Sequence, residues 1–286
     1  YFLKIIARKG YPSLPALIEC SRLLRTIGLN LSDMVCWEDG RSIVPYGFLV
    51  QPWFAGDTIP DEIETFDWLV DFARFLRSVR IELPCFGFLG RGPRYATQLA
   101  YFEQMDEVID HSFGQVFLQP FPIWQLQEAG LTSPGFLERT FGRVSELARS
   151  VEAEPQPILI HGDMLPTNLI YASGGNVAID WDECRTNWWV YEVARTLYYY
   201  PDDQPEILNR FLAAYGDDGF SMRDIQTTIR LEHVRQHLRV MCIGAFNMED
   251  RAAVLGNITD VGLFTERKEI VTTDKSAAEL EEMLRG

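Results

Sequence analysis

Long hydrophobic runs are missing from this sequence of 286 residues. No apolar stretch approaches the roughly 18–20 residues that a helix needs to cross a bilayer, which argues against a helical membrane protein. The opening segment, Tyr1–Ala7, is too short and wrongly flanked for a signal peptide. We therefore expect a cytoplasmic protein that has no membrane among its partners.

Cysteine is sparse and irregularly placed. The five cysteines form an odd number, and no two of them are spaced as C-x-x-C. This pattern argues against a disulfide framework and against a structural zinc site, and reduced thiols agree with a cytoplasmic location. Internal repeats and low-complexity tracts are also missing. With 47% hydrophobic and 23% charged residues, the composition is globular and excludes collagen-like, coiled-coil and disordered chains.

Positive charge is in deficit as well. Lysine and arginine total 26 against 41 aspartates and glutamates, a formal net charge of -15. Such a surface repels phosphate backbones and anionic lipid headgroups, so we expect no nucleic acid among the partners. The acidity either favours a cationic substrate or serves only solubility, and composition does not choose between these two readings.

The hydrophobic pattern changes near residue 52. Over the first fifty residues, short β-branched and aromatic runs surround one segment of helical period at 13–27. From about residue 60 helical periods dominate, as at 64–79 and 135–151. The pattern predicts an α+β fold with a small β-rich N-lobe, residues 1–52, and a large helical C-lobe, residues 53–286.

Few other strands are expected in the C-lobe. A short apolar strand is predicted at 158–160, and two further strands at 168–171 and 176–179 are spaced as a β-hairpin. The segment 84–93 contains three glycines and reads as a loop.

Three polar residues around this hairpin carry the chemistry. Asp163 offers a carboxylate, Asn168 an amide oxygen five residues later, and Asp180 a second carboxylate where the second strand ends. Because strands hold both ends of the loop, the three side chains can converge. Individually they fit a capped turn, a satisfied loop amide and a strand end. Jointly they are hard oxygen ligands for Mg²⁺ carrying phosphate, with one carboxylate left to take a hydroxyl proton in phosphoryl transfer.

The two motifs are H-G-D-x-x-x-x-N at 161–168 and I-D-W-D at 179–182. They resemble the aminoglycoside phosphotransferase family, a branch of the protein-kinase-like fold, and the spacing matches kinase catalytic loops. The resemblance implies a two-lobed protein-kinase-like enzyme that uses ATP or GTP. It also implies Asp163 as the catalytic base and Asn168 and Asp180 as ligands of Mg²⁺. Antibiotic resistance is the biological role that the family suggests.

The resemblance also places nucleotide-binding residues in the N-lobe. Residues 2–5 resemble the third strand of the kinase small lobe, which would make Lys4 the phosphate-contacting lysine and Glu19 its ion-pair partner. Without the resemblance these are an exposed strand lysine and a solvated helix glutamate. The family has a phosphate-covering loop before this strand. Either about 20–40 residues that precede Tyr1 supply this loop, which is the main expectation, or the protein lacks part of its nucleotide site.

The connector between the lobes is expected at 48–58. Its backbone around Gln51 and Trp53 would hydrogen-bond a purine base, and since Pro52 has no N–H, the donor must come from a neighbour. Further along the chain, Glu192 stands where the family often has an aspartate that braces the catalytic loop.

The acceptor is the least determined part of the prediction. Asp182 and Glu183 adjoin the site and would receive a cationic group of the acceptor, unless they are solvated loop carboxylates. An aminoglycoside-like acceptor is the first expectation. Choline-like, amino-acid, thiosugar and macrolide acceptors stay open, as does a non-catalytic nucleotide-binding or scaffold protein of the same fold. No protein partner is implied.

Two clusters are interpreted as packing. His233 and His237 are spaced i, i+4 but lack the glutamate of a zinc protease motif, so we expect packed or surface histidines. The aromatic residues within 188–200 either stack on a sugar or form core, and core is the main expectation.

Overall fold

The architecture is taken from a computed structural model of the chain. It describes residues 2–6, 13–26, 36–38, 47–51, 56–58, 66–89, 93–109, 123–128, 132, 134–172 and 175–249. The helices are α1 (Ser13–Thr26), α2 (Asp67–Ser78), α3 (Gln98–Glu103), α4 (105–109), α5 (Gln125–Glu128), α6 (Phe136–Arg149), α7 (Val190–Tyr199), α8 (Gln204–Tyr215) and α9 (Met222–Glu249). The strands are β1 (Phe2–Ile6), β2 (Cys36–Glu38), β3 (Gly47–Gln51), β4 (Asp57–Thr58), β5 (Phe86–Phe88), β6 (Arg94–Tyr95), β7 (Ile158–Ile160), β8 (Leu169–Ala172), β9 (Gly175–Ala178) and β10 (Arg185–Asn187).

The first sheet is antiparallel in the order β1-β3-β2. Its register sets Lys4 opposite Leu49 and Phe2 opposite Gln51. Helix α1 follows β1, and it packs beside the 3₁₀ turn at Trp181–Glu183 in the second half of the chain. The predicted lobe boundary, between residues 52 and 53, falls at 52–55, outside the described residues, and stays a prediction.

The second sheet, in the order β6-β5-β10-β7, corrects one expectation. The segment 84–93 was expected to be a loop, yet Phe86–Phe88 within it forms β5 and pairs with β10 and β6. Strand β10 was not predicted either. Both strands are three residues long, which is too short to show the alternation of apolar and polar residues that predicts a strand. They form because they pair with strands that are distant in the sequence.

The third sheet contains the predicted hairpin. Strands β8 and β9 pair antiparallel, with Leu169 opposite Ala178, and β4 extends the sheet on the β8 side. The prediction of a hairpin is confirmed, with each strand displaced by one residue. Because this register fixes where both strands end, it also determines which residues meet at the open end of the hairpin.

The helices enclose the core. Helix α2 buries one face, including Leu69, Phe72 and Leu76, at 3.6-residue spacing, and it packs against α8. Helix α7 is buried almost all round and packs against α9 and α8. Burying each large apolar side chain contributes about 2 kcal/mol. Among the described residues, no helix combines the length and the apolar character that crossing a membrane requires.

Candidate active site

The loop that follows β7 can form only because a glycine occupies its second position. Gly162 has φ +84°, and a Cβ built there would lie 2.1 Å from the carbonyl oxygen of Glu183. Two features therefore exclude a side chain at this position. The backbone is left-handed, and the main chain of Glu183 lies too close to leave room for a Cβ atom. The close approach places residue 163 directly beside the segment that follows Asp180.

His161 ties the loop to the hairpin. Its ring is fully buried, its Nε2 lies 2.7 Å from the carbonyl oxygen of Ile179, and its centroid lies 4.7 Å from that of Trp181. Burial lowers the pKa of His161 below its usual value, so the ring is neutral at pH 7. Neutral and sealed from solvent, it serves the shape of the loop.

Asp163 and Asn168 are in direct contact. The Nδ2 of Asn168 donates to the main-chain oxygen of Asp163 at 2.8 Å and to its Oδ2 at 3.1 Å. On the other side, the Nε and Nη2 of Arg195 donate to Oδ1 of Asp163 at 3.1 and 2.9 Å. The carboxylate is thus held by fixed donors on both oxygens while its side chain remains 20% exposed.

Asp180 joins this pair through the hairpin register. The N–H of Ile179 donates to the carbonyl oxygen of Asn168 at 2.9 Å. Asp180 is the next residue after this hydrogen bond. Asp180 is exposed and has φ 60° and ψ 53°, a left-handed conformation that is rare outside glycine. The structure therefore brings the three residues singled out from the sequence to one end of the hairpin.

These residues fit a magnesium ion. The Nδ2 of Asn168 is used by Asp163, which leaves the amide oxygen as the atom of this side chain that could bind a metal. Within the described stretches no group of three or more His, Cys, Asp or Glu residues forms a metal cage. A site with one carboxylate and one amide suits Mg²⁺, which completes its shell with phosphate oxygens and water.

Helix α7 packs against the loop that follows β7 and stabilises it. Its Glu192 accepts the N–H of Gly162, which is the bracing contact expected for this residue. The Glu192 side chain is fully buried. Burial, opposed by the Gly162 N–H and assisted by the charge of Asp163, raises the pKa of Glu192 from 4.5 to about 8.

Glu183 lies among arginines. Its carboxylate pairs with Arg185, and its Oε1 lies 3.3 Å from Nη2 of Arg239. Burial works to raise the pKa of Glu183, but the charges of Arg239 and Arg185 outweigh it and lower the pKa to about 2. The carboxylate is therefore ionised and already neutralised within the chain. The side chain of the neighbouring Asp182 lies outside the described residues.

The N-lobe positions are described less fully. Lys4 lies in the middle of β1 and Gln51 ends β3, and their side chains lie outside the described residues, as does all of Trp53. Glu19, on α1, is partly exposed and lies 3.6 Å from Arg22. The roles expected for these four residues stay predictions.

Sequence reasoning missed the arginines around the site. Arg195 and Arg185 are almost fully buried, and Arg185 lies over the rings of Phe88 and Tyr191 at 4.5 and 4.8 Å. A signal existed, because Arg195 interrupts a run of apolar and aromatic residues on α7. A charge in such a run needs a buried partner, although the sequence does not say which one.

The two clusters interpreted as packing are packed. His233 and His237 are buried, with Nε2 of His233 3.0 Å from the carbonyl oxygen of Ala194 and Nδ1 of His237 3.3 Å from the Tyr198 hydroxyl. The ring of Trp189 is buried and stacks on Phe211. Both expectations are confirmed.

Comparison with known proteins gives one family and one fold. The model of the family described as phosphotransferase enzyme family matches residues 1–225. No curated protein sequence matches the chain.

Solved structures are similar over nearly the whole chain at low identity. A spectinomycin phosphotransferase in complex with ADP and spectinomycin has a TM-score of 0.57 at 13% identity, covering 99% of this chain and 85% of that one. An amicoumacin kinase solved with AMP-PNP and Ca²⁺ has a TM-score of 0.55 at 16% identity, with coverages of 99% and 80%. An ethanolamine kinase of Plasmodium vivax has a TM-score of 0.56 at 12% identity, with coverages of 86% and 70%.

Proposed function

Because the chain belongs to the phosphotransferase enzyme family and is a phosphotransferase that acts on hydroxyl groups, we propose that it transfers the γ-phosphoryl group of ATP or GTP to a small-molecule acceptor. The family match and the structural neighbours confirm the resemblance to aminoglycoside phosphotransferases and the protein-kinase-like fold. The observation that supports the proposal is the meeting of Asp163, Asn168 and Asp180 at the end of the hairpin.

Asp163 is the proposed base. It is the one carboxylate of the loop and is partly exposed, and Asn168 and Arg195 hold it in one orientation. In phosphoryl transfer such a carboxylate takes the proton of the attacking hydroxyl, and most of the rate comes from positioning and from charge neutralisation. Glu192 keeps the loop in place through Gly162.

The nucleotide side rests on two groups of residues. Asn168 and Asp180 would hold Mg²⁺, which when bound neutralises the charge of the triphosphate. Lys4, oriented by Glu19, would contact the phosphates, and the backbone near Gln51 and Trp53 would receive the purine. Structural neighbours of the chain are known with ADP, AMP or AMP-PNP. An enzyme that uses these nucleotides would work in the cytoplasm.

The proposed acceptor is aminoglycoside-like, with antibiotic resistance as the role. The acidic balance of the chain and the antibiotic kinases among its structural neighbours support this choice. Asp182 is the better candidate for a cationic acceptor group, because the Glu183 carboxylate is already paired with two arginines. Ethanolamine kinase among the neighbours keeps a small amino alcohol as the second acceptor to test.

The first experiment is thermal denaturation with ATP or GTP, with and without Mg²⁺, followed by a phosphate-transfer screen over aminoglycosides and small alcohols. A nucleotide at about 100 times its Kd should add about 2.7 kcal/mol of stability. A Mg²⁺-dependent shift with turnover supports the proposal and identifies the acceptor class. Absence of any shift in the full-length protein supports the alternative of a non-catalytic scaffold.

Asp163→Ala tests the base directly. Turnover should fall by about 10²- to 10⁴-fold, while the nucleotide-dependent shift in Tm is retained. Asp202→Ala, at an exposed position in a surface turn, is the matched control and should keep full turnover. Wild-type turnover in Asp163→Ala would remove this residue from the mechanism.

A further inference from the structure

One face of α7 forms hydrogen bonds with three consecutive residues of the catalytic loop. Glu192 accepts the N–H of Gly162, Arg195 donates to the Asp163 carboxylate, and the Thr196 hydroxyl donates to the carbonyl oxygen of the next residue, Met164, at 2.8 Å. Positions i, i+3 and i+4 lie on the same side of a helix. The helix therefore follows the loop residue by residue, and we call these three side chains of α7 the loop clamp.

Within the loop clamp, Arg195 treats the two oxygens of Asp163 differently. Oδ1 receives two N–H groups, from Nε at 3.1 Å and from Nη2 at 2.9 Å. Oδ2 receives one N–H, from Nδ2 of Asn168 at 3.1 Å. Each oxygen of an ionised carboxylate offers about two lone-pair positions. Among the described residues, both positions of Oδ1 are filled and Oδ2 keeps one position open.

We propose, on the basis of the function proposed above, that Arg195 is a positioning residue which saturates Oδ1 of Asp163 and so presents Oδ2 to the acceptor. The acceptor hydroxyl gives its proton to Oδ2 while its oxygen bonds to the γ-phosphorus. The bond from that phosphorus to the β–γ bridging oxygen breaks, and the nucleoside diphosphate leaves. Asp163 becomes a neutral carboxylic acid and returns the proton to solvent.

The surroundings of Arg195 suit a side chain that stays protonated and orients Asp163, rather than one that exchanges protons during the reaction. Its side chain is 8% exposed, and the guanidinium lies 5.4 Å from the ring centroid of Tyr199. Burial works to lower the pKa of Arg195, but interactions with Tyr199 and Asp163 outweigh it and raise the pKa well above its ordinary value. The guanidinium therefore keeps its protons throughout the working pH range and does not compete for the proton of the acceptor.

Arginine differs from lysine at this position in a way that an experiment can use. A guanidinium holds Oδ1 with two N–H groups whose relative positions are fixed, whereas an ammonium is a point charge that fixes no such geometry. Arg195→Lys thus keeps the buried ion pair, whose loss would threaten folding, but it releases the orientation of Asp163.

The test compares Arg195→Lys with Arg143→Lys, the same substitution in an exposed i, i+3 pair on α6, well below the Tm of each variant. In Arg195→Lys we expect kcat to fall by about 10²-fold, the typical effect of misplacing a reacting group by about 1 Å. The KM values for nucleotide and acceptor should stay near wild type, and Arg143→Lys should match wild type in both. Unchanged kcat in a folded Arg195→Lys protein, or a loss seen only in KM, would overturn the inference.

A double-mutant cycle separates positioning from a general structural role. If Arg195 acts through Asp163, then adding Arg195→Lys to Asp163→Ala should not lower kcat further. A further fall of similar size in the double variant would show that Arg195 acts elsewhere. The measurement covers phosphate transfer and the slow hydrolysis of ATP, in which water replaces the acceptor. A wild-type protein lacking both activities would overturn the proposed function itself, whereas wild-type activity with an indifferent Arg195→Lys overturns this inference alone.

Discussion

Replacing Gly162 by alanine tests the geometry of the catalytic loop most directly. The added Cβ would lie 2.1 Å from the oxygen and 2.8 Å from the carbon of the Glu183 carbonyl group, at a backbone φ of +84°. That carbonyl oxygen also accepts the Nε–H of Arg185 at 3.0 Å. The obstacle is backbone on both sides, so no side-chain rotation relieves it.

The cost can be worked from these contacts. A non-glycine residue in the left-handed region costs about 1–2 kcal/mol, and forcing an extra carbon into a packed contact costs about 1–3 kcal/mol more. We expect Gly162→Ala to lower the free energy of unfolding by about 2–5 kcal/mol, a fall in Tm of about 3–8 °C for a chain of 286 residues. The contact must also open from 2.1 Å to about 3.4 Å, and because Asp163 is the next residue, kcat should fall by about 10²-fold.

Gly142→Ala provides the matched control. Gly142 lies on the exposed face of α6, where an added Cβ has no neighbour within 4 Å, and alanine is a better helix former than glycine by about 1 kcal/mol. The same substitution should therefore raise Tm slightly and leave kcat unchanged. Thermal denaturation and steady-state kinetics of both variants decide the matter. If Gly162→Ala retains wild-type Tm and kcat, the close approach described here is wrong.

Two further predictions concern the surroundings of this loop. Because the pKa of Glu192 is raised from 4.5 to about 8, the stability it contributes is complete below pH 4.5 and is lost as pH rises towards 8. In Glu192→Gln, whose amide still accepts the Gly162 N–H, Tm should fall less between about pH 5 and pH 8 than in the wild type, and parallel melting curves would contradict the pKa shift. Asp180→Asn keeps a residue that tolerates the left-handed backbone but removes its charge, so titration calorimetry should show weaker binding of Mg²⁺–ATP. Unchanged affinity would exclude Asp180 from the metal site.

The residues of the proposed site could be picked out from the sequence because their spacing is local. Asp163, Asn168 and Asp180 lie within one strand–loop–hairpin unit, and the register of β8 and β9 alone brings Asn168 beside the residue that precedes Asp180. The amphipathic helices, such as α2, could be predicted equally well because their apolar residues recur with a 3.6-residue period along one short segment of the sequence. Glu192 was recognised as the brace from its place in the family pattern.

What holds those residues in place could not be read in the same way. Strands β5 and β10 exist because Phe88 and Arg185 are set opposite each other across nearly a hundred residues of chain, and neither strand is long enough to show a period. Glu183 looked like a carboxylate free to meet a cationic acceptor, yet Arg239, from a distant helix, shares it with Arg185.

The sequence motifs by themselves indicated the reaction class, through their resemblance to a family, and the three residues of the proposed site, whose spacing within one hairpin depends only on local backbone geometry. Tertiary structure alone decided how Asp163 is oriented, which of its oxygens is saturated, and that Arg195 does this from α7. The physical reason is that a buried charge must find its partner wherever packing places it. Packing joins residues that are far apart in the chain, so their spacing in the sequence carries no trace of the contact.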